Sequence, residues 1–434
     1  MKTFLPRLCL ALVLIGVGPT TIAADWAHWR GPEFNGSTKA GRLPTQFSPT
    51  NNVRWAATLP GPSAATPVVW GDRVFVSSTD LKTKTLRALA LDRRSGKIIW
   101  DNEIAPGFNQ DERSNLASPS PTTDGERVYF LYGTGDLAAF DFSGKPIWTR
   151  NLQKDFGQLV YQWTYGASAT LFDGKLIIQV LQRDVAVHGR GAKTEPNDSY
   201  LLALDPKTGK DVWRHIRRSD AVAESREAYS TPIPHDGQLL ISGGDCLTTH
   251  DPRDGRELWR WGSYNLQNRT HMRLVASPTV ASNIVLICAP QRFPLFAVKS
   301  GPTNEAATLL WKSESRELFS DTATPLFYGG KFYVLNGDRR TIYRIEPATG
   351  QVDWMGDLGG MSKFESSPTA ADGKIFFQNM RGDVFVVEAG EKFNLMNVNP
   401  MGDGEDGMRS SIAIAGRHLF IRTANKLYCV GDAD

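Results

Sequence analysis

Charged and aromatic residues collect in the irregular segments of this sequence, between its apolar strand-like runs. Guanidinium groups bind carboxylates and phosphates, and aromatic rings offer a flat surface to a ligand. If the fold brings these side chains together, they would form a mixed-charge site able to hold a small anion, a quinone or a peptide end. The alternative is that the charges pair with one another and block the site. The predicted site residues are Arg113, Trp163, Tyr165, Glu227, Tyr229, Arg273, Asp321, Glu365 and Arg409, with Glu112, Arg226 and Lys363 as further candidates.

Patterns typical of hydrolytic or metal-dependent catalysis are missing from the sequence. None of the 7 His residues lies at metal-ligand spacing from another. The acidic stretch 403–407 lacks the spacing and the distal Glu of a calcium loop. Gly133-Thr134-Gly135 stands between two strands with no helix after it, which predicts a hairpin turn instead of a phosphate loop. The sequence therefore predicts no catalytic residue and no metal ligand.

One turn sequence recurs along the chain and predicts the scaffold that positions the site. In its clearest copy an apolar strand ends at Asp205, a turn passes through Thr208 and Gly209, and a second strand ends in Trp213. The Asp side chain can cap the turn, Gly supplies a positive φ, and Trp can fill the wedge between neighbouring sheets. A repeat of about 40 to 50 residues with two strands in each copy is typical of propeller blades. Other copies end at Trp100, Trp148, Trp259 and Trp354.

A second landmark, a triplet of a small residue, a hydroxyl residue and Pro, precedes the first hairpin of each blade. The triplets are Ala65-Thr66-Pro67, Ala117-Ser118-Pro119, Ser230-Thr231-Pro232, Ala276-Ser277-Pro278, Ala323-Thr324-Pro325 and Ser366-Ser367-Pro368, with degenerate copies Ala167-Ser168-Ala169 and Ser410-Ser411-Ile412. Second hairpins follow in all but the last copy, although the fifth is degraded before Trp311 and the seventh ends in Phe393 without a Trp. The missing strand is available at residues 53–59, where Trp55 takes the wedge position. We therefore predict an all-β fold over residues 53–434, an eight-bladed β-propeller of four-stranded antiparallel blades whose last blade is closed by an N-terminal strand.

The start of the chain has the pattern of a secretory signal. Within residues 1–24, the basic residues Lys2 and Arg7 precede an apolar run, and small residues follow that run. We expect an exported protein, periplasmic or extracellular, that is soluble after removal of the signal and begins with an N-terminal arm at residues 25–52. Loss of Lys2 and Arg7 takes the formal charge from +3 to about +1, which argues against a nucleic-acid partner. No other long apolar run predicts a membrane span, and a monomer is expected.

The turn repeat also carries a resemblance. The Leu-Asp-x-x-Thr-Gly-x-x-x-Trp pattern at residues 204–213 resembles the repeat of PQQ-like propellers, which include quinoprotein alcohol dehydrogenases and the non-enzymatic outer-membrane assembly propeller BamB. The opening segment Asp25–Pro32 is similar to the lead-in of exported PQQ-like proteins without an assigned activity. The resemblance extends over essentially the whole chain after the signal. It rests on turn and wedge residues, so it implies the fold more directly than the function.

Loop lengths indicate which face of such a propeller carries function. Turns within the hairpins are short and regular, and they share one face, which we call the short-turn face. The connections on the opposite, long-loop face are irregular, and binding residues usually lie on loops of that kind. These connections are residues 101–116, 151–165, 214–228, 260–275 and 397–408, together with an insertion at 184–198.

Three functions are compatible with this pattern. The favoured one is a non-catalytic binding scaffold of the cell envelope that holds a protein or polymer partner, with no cofactor. The alternative is a PQQ- and Ca²⁺-dependent oxidoreductase of an alcohol or sugar, with Asp321 or Glu365 as base. The resemblance to that enzyme branch implies adjacent cysteines and a calcium site, whereas Cys246, Cys288 and Cys429 stand far apart. A glycan-related role is suggested only by the 12 Trp residues, most of which are explained by the wedges.

Overall fold

A propeller is the architecture that the structure shows. The computed structural model describes residues 25–108, 111, 113–192, 194, 197–265, 267–291, 293–301, 307–404 and 407–432. The strands of these residues form eight sheets of four strands each. Strands pair with their neighbours in chain order and antiparallel, as in blade 3. The predicted all-β, eight-bladed fold is confirmed, while the predicted signal at residues 1–24 lies outside the described residues.

Each blade runs from an inner strand at the axis to an outer strand at the rim. Blade 1 comprises β2 Val68–Trp70, β3 Arg73–Asp80, β4 Thr85–Asp92 and β5 Ile98–Pro106, and blade 2 comprises β6 Thr122–Thr123, β7 Arg127–Leu131, β8 Asp136–Asp141 and β9 Pro146–Asn151. Blade 3 comprises β10 Thr170–Phe172, β11 Lys175–Val180, β12 Tyr200–Leu204 and β13 Asp211–Ile216, and blade 4 comprises β14 Ile233–His235, β15 Gln238–Gly243, β16 Cys246–His250 and β17 Glu257–Trp261. Blade 5 comprises β18 Thr279–Ala281, β19 Ile284–Cys288, β20 Leu295–Lys299 and β21 Thr308–Lys312, and blade 6 comprises β22 Leu326–Tyr328, β23 Lys331–Asn336, β24 Thr341–Ile345 and β25 Val352–Asp357. Blade 7 comprises β26 Thr369–Ala371, β27 Lys374–Gln378, β28 Asp383–Glu388 and β29 Leu395–Pro400, and blade 8 comprises β30 Ala413–Ala415, β31 His418–Arg422, β32 Lys426–Val430 and β1 Val53–Thr58. Within the described residues, helix is limited to α1 (Leu152–Phe156) and a 3-10 turn at Ala223–Arg226. No helix among the described residues is long and apolar enough to cross a bilayer.

The two ends of the propeller meet in blade 8. Strand β1 pairs antiparallel with β32, placing Trp55 opposite Cys429. The inner strand of blade 1 contacts those of blades 2 and 8, which closes the ring. The predicted closure by an N-terminal strand is therefore confirmed. Strand β1 thereby covers the edge of β32 that would otherwise be unpaired where the two ends of the chain meet.

The tryptophan of each turn repeat joins one blade to the next. In blade 3, the Trp213 Nε1 donates a hydrogen bond to the Pro252 carbonyl of blade 4 at 3.0 Å. Its ring covers Gly255, where an added Cβ would lie 2.5 Å from the indole. Gly255 also has a φ of +77°. The repeat therefore needs glycine for two reasons, its backbone conformation and the tryptophan that packs on it. The same contact recurs where Trp55, Trp100, Trp148 and Trp311 lie on Gly96, Gly144, Gly209 and Gly350.

The wedge position of blade 7 holds an asparagine, in line with the absence of a Trp from its second hairpin. The residue opposite Val386, equivalent to the wedge Trp of other blades, is Asn397 and not Phe393. Phe393 instead packs on Trp354 of blade 6, with ring centroids 5.6 Å apart. The N-terminal arm passes here, and the Phe47 amide donates to Asn399 Oδ1 at 2.8 Å. Blade 7 has no wedge Trp because the arm packs at this position, and amide side chains bind its backbone.

Hydroxyl side chains form a hydrogen-bonded ring at the start of the inner strands. From blade 1 to blade 7, the backbone N–H of one hydroxyl residue donates to the hydroxyl oxygen of the next blade, with distances of 2.8 to 3.1 Å. The hydroxyl ring consists of Thr66, Ser120, Ser168, Thr231, Ser277, Thr324, Ser367 and Ser411. The triplet predicted at Ser118 is wrong by two residues, because Ser120 occupies the ring and Ser118 caps the preceding loop through the Asn115 carbonyl. Because Ser120 has a Pro residue on each side, the sequence shows two Ser-Pro pairs here and does not indicate which of them belongs to the ring.

The N-terminal arm crosses the axis on the short-turn face. Trp26 pairs with Val69 of blade 1, with N···O distances of 2.8 and 3.0 Å. Farther along, Arg30 donates to the carbonyls of Pro325 and Pro368 at 2.7 and 2.8 Å, and the Ala370 amide donates to Gly36 at 2.9 Å. The arm thus connects blades 1 and 2 to blades 6 and 7. Its passage closes one end of the central channel.

His250, fully buried in blade 4, is expected to make stability depend on pH. Its Nδ1 lies 2.9 Å from the Gly255 carbonyl and its Nε2 lies 3.0 Å from Thr248 Oγ1. Burial lowers the pKa of His250 to about 3, from an ordinary value of 6.5. The unfolded chain therefore takes up a proton first, so the free energy of unfolding should fall by about 1.4 kcal/mol for each pH unit below about 6. In urea titrations at a series of pH values, His250→Asn should lose that much of the slope, and equal slopes would contradict the assignment.

Candidate functional site

A chamber runs along the propeller axis, and we call it the axial chamber. All members of the hydroxyl ring line its wall, and Trp29 of the arm lies at its end on the short-turn face. Its other end lies among the long loops, where Arg113, Arg273 and Arg409 line it. The empty space is about 990 Å³ including the open mouth.

The charges that line the axial chamber are predominantly positive. Three arginines and one carboxylate, Glu365, give a formal charge of +2. Glu365 accepts from Arg409 Nε at 2.6 Å and from Lys363 Nζ at 2.5 Å. Burial alone would raise the pKa of Glu365, but Arg409 and Lys363 outweigh this effect and hold the pKa below its usual value. The carboxylate therefore stays charged and is occupied by two cations.

Arg273 connects the axial chamber to a second cavity of about 770 Å³ on the same face. Its guanidinium lies 3.8 Å from Glu224 and 3.5 Å from Asp321. Asp321 also accepts the Gln291 amide at 3.0 Å. Both cavities share Arg113, Arg273 and Glu365, so they form one polar funnel.

An aspartate that sequence reasoning missed orders the opposite side of the mouth. Asp111 accepts hydrogen bonds from the Thr164 amide and hydroxyl at 2.6 and 2.7 Å, and from the Arg113 amide at 2.7 Å. The Arg113 guanidinium lies over the Trp163 ring, 5.6 Å from its centroid. The Trp163 Nε1 donates to Glu224 at 3.3 Å. The available signal was the Asp111-x-Arg-Ser run, which is typical of a turn capped by an Asp side chain.

Glu227 lies beneath the funnel instead of in its wall. Its side chain is fully buried. It accepts from Arg183 Nε at 2.6 Å, from the Tyr229 hydroxyl at 2.7 Å and from the Gln162 amide at 3.0 Å. Burial raises the pKa of Glu227, and the tyrosine, the amide and Arg183 offset part of that rise. Glu227 therefore positions Tyr229, which does line the axial chamber.

The predicted site residues separate into three groups. Tyr165 is buried in blade 3, where its hydroxyl donates to the Gln179 carbonyl at 2.8 Å, and like Glu227 it supports the loops. Asp321 lines the second cavity. Glu112 lies outside the described residues, and Arg226 is 3.9 Å from Asp184, away from the axis. The predicted residues that line the axial chamber are Arg113, Trp163, Tyr229, Arg273, Glu365 and Arg409.

The end and the wall of the chamber are formed by residues that the sequence analysis did not assign to the site. Trp29 belongs to the opening segment of the arm, and the hydroxyl ring was interpreted as the start of each inner strand. Mouth charges do pair with one another, as in the alternative raised above, yet space remains between them. Within the described residues, no three His, Cys, Asp or Glu side chains are grouped so that they could hold a metal ion. Cys246, Cys288 and Cys429 are buried in separate blades and form no disulfide with one another.

Comparison with known proteins places this chain among PQQ-like propellers. The family model described as outer membrane protein assembly factor BamB matches residues 38–158, 84–308 and 303–397. Polyvinylalcohol dehydrogenase from Sphingopyxis sp. (strain 113P3) is 27% identical over 203 residues, which are 44% of this chain and only 28% of that protein. Quinohemoprotein alcohol dehydrogenase from Comamonas testosteroni has a TM-score of 0.66 at 13% identity, covering 95% of this chain and 81% of that one. BamB from Moraxella catarrhalis has a TM-score of 0.60 at 13% identity, covering 88% and 97%.

Proposed function

Because this chain belongs to the family of the outer membrane protein assembly factor BamB, we propose that it is a non-catalytic binding propeller of the cell envelope. Its partner in this proposal is an envelope protein, held by the long-loop face and the axial chamber. The observation that carries the proposal is the chamber itself. It is open among the long loops, its wall offers hydrogen-bond donors, and its one carboxylate is already bound by two cations.

The proposed location follows from the same function. A partner in the envelope requires export, so residues 1–24 would act as a secretory signal and the remaining chain would be periplasmic or extracellular. The basic start and apolar run of the sequence support this. We propose that the exported chain acts as a monomer, because β1 pairs with β32 and so closes the ring within a single chain.

A quinoprotein oxidoreductase of an alcohol or sugar is the second candidate, favoured by the sequence match to polyvinylalcohol dehydrogenase. The arginines at the mouth and the Trp163 ring suit an anionic, flat cofactor such as PQQ. The other groups that such an enzyme needs, a carboxylate base and ligands for Ca²⁺, do not fit. Glu365 is bound by Arg409 and Lys363, and the described residues offer no set of ligands for Ca²⁺. We therefore derive no reaction step through that cofactor.

Site-specific photocrosslinking in the native host tests the proposal. A benzoylphenylalanine in place of Arg113, which is exposed at the mouth, should yield an adduct with one envelope protein. The matched control replaces Arg94, an exposed arginine in a hairpin turn on the short-turn face, and should yield none. Equal adducts from both positions, or none from either, would contradict the binding face. In a parallel assay, dye reduction by the purified chain with PQQ, Ca²⁺ and an alcohol would establish the second candidate instead.

A further inference from the structure

The hydroxyl ring presents O–H donors to the axis that no protein group uses. Seven ring hydroxyls already accept a backbone N–H from the preceding blade. None of the ring O–H groups donates to an acceptor among the described residues. All ring side chains line the axial chamber and are only 2% to 6% exposed. A buried hydroxyl proton without an acceptor is costly, so a wall of such donors favours a ligand rich in acceptor oxygens.

The end of the chamber adds a further donor and a buried positive charge. Trp29 lines the chamber, and its Nε1–H is buried with no hydrogen-bond partner in the described structure. The fully buried Arg30 guanidinium lies beside it, 5.5 Å from the Trp29 ring centroid. Arg30 donates to the carbonyls of Pro325 and Pro368, each of which follows a ring hydroxyl in the sequence. No carboxylate of the described residues lies within salt-bridge distance of Arg30, so its charge acts on the chamber without a nearby counter-ion.

The mouth of the chamber, like its wall and its end, favours a ligand with acceptor oxygens. The side chains of Arg113, Arg273, Arg409 and Glu365, which line the chamber, give it a formal charge of +2. Beside the chamber, Glu224 and Asp321 pair with Arg273. A cation would meet this positive field and would find the one carboxylate occupied. A neutral polyol could accept hydrogen bonds from the wall, but it carries no charge to compensate the arginines of the mouth. An oxyanion brings both the acceptor oxygens that the ring hydroxyls and the Trp29 N–H need and the negative charge that the arginines favour.

We infer that the axial chamber is a receptor for the oxyanion group of a ligand, a carboxylate or a phosphate that enters between the arginines and binds within the hydroxyl ring. This inference rests on the proposed binding function and names the chemistry of what that site recognises. The oxyanion has two sources, a small free acid or the carboxyl end of a partner chain. Both offer the same acceptor atoms, and direct binding measurements distinguish them.

Isothermal titration of the exported chain tests the inference with four probes. Inorganic phosphate and citrate represent free acids, and N-acetyl-trialanine as free acid and as amide represents a chain end with and without its charge. Gly166→Phe serves to fill the chamber, because Gly166 lines it, has no positive φ, and an added Cβ would meet nothing closer than 3.8 Å. Arg113→Gln removes one exposed charge at the mouth, and Arg94→Gln makes the same change on the short-turn face.

We expect saturable binding of at least one oxyanion probe that weakens with added salt. Arg113→Gln should weaken it about tenfold, as loss of a charge-assisted contact does, and Gly166→Phe should abolish it. Arg94→Gln should bind as the unaltered chain does. Preference for citrate or phosphate indicates a free acid, whereas binding of the peptide acid and not its amide indicates a chain end.

The inference is overturned if no probe binds saturably, or if Gly166→Phe and Arg113→Gln bind as the unaltered chain does. A thermal melt of each variant establishes that it is folded, and the exposed Arg113→Gln keeps the test decisive should Gly166→Phe unfold. Failure here is separable from failure of the proposed function. Adducts at position 113 without oxyanion binding would remove the inference alone, and oxyanion binding without an envelope adduct would remove the proposed partner alone.

Discussion

Trp55→Ala should lower the free energy of unfolding by about 4 kcal/mol, because it removes a large buried side chain at the closure of the ring. The Trp55 ring packs on Gly96 of blade 1, and its Nε1 donates to the Arg93 carbonyl at 2.9 Å. It also lies 6.0 Å from Phe420 within blade 8. One side chain thus holds β1 on its own sheet and blade 8 against blade 1. Equilibrium unfolding in guanidinium chloride measures the loss.

Trp213→Ala is the matched control for that substitution, since Trp213 makes the same wedge contact inside the ring. Its cost should be similar, but the amides of β1 should keep their protection from hydrogen exchange. In Trp55→Ala the amides of β1 and β32 should exchange faster. A loss below about 1 kcal/mol, or unchanged exchange in these two strands, would contradict closure through Trp55.

Glu227→Gln should destabilise the protein by about 3 kcal/mol, because it removes the charge that compensates a nearly buried arginine. Arg183 is 12% exposed and Glu227 is not exposed at all. A glutamine side chain has one acceptor oxygen in place of two, and its NH₂ group is a donor, so it cannot replace the carboxylate as acceptor for Arg183, Tyr229 and Gln162 together. Urea unfolding at neutral pH measures the change. Because Glu227 positions Tyr229, the variant should also lower the affinity of the axial chamber for a ligand.

Glu257→Gln provides the control for the buried pair. Glu257 pairs with Arg260 at 2.8 Å, but the two side chains are 26% and 36% exposed. Surface pairs of this kind contribute less than about 1 kcal/mol, so the control should stay close to the unaltered chain. If both variants lost the same small amount, Glu227 would not hold the long loops together.

Most of the fold was predictable because its information is local and repeated. Asp205 and Gly209 lie in one turn, and the Asp205 side chain accepts from the Lys207 and Thr208 amides at 2.7 and 3.0 Å as the spacing suggests. Errors arose where one blade departs from the repeat. Ser120 was missed beside two prolines, and nothing in blade 7 itself shows that the arm packs where other blades have a wedge Trp.

The site was less predictable because its residues act through partners distant in the sequence. Glu227 and Glu365 are both acidic residues in loops before an inner strand, yet one is buried below the funnel and the other lines it. The two tyrosines differ in the same way, since Tyr165 is buried in the core and Tyr229 lines the chamber. No local pattern distinguishes the members of these pairs.

The sequence by itself determined the blade, the number of blades and the strand that closes them, since turn chemistry and hydrophobic alternation act over a few residues and then repeat. Only the tertiary structure decided that the hydroxyl residues form one ring, that Trp29 closes the chamber and that three arginines share its mouth. Those groups come from segments hundreds of residues apart. They become neighbours at the axis because every blade brings its inner strand there, and a shift of one residue turns a side chain from the channel into the core.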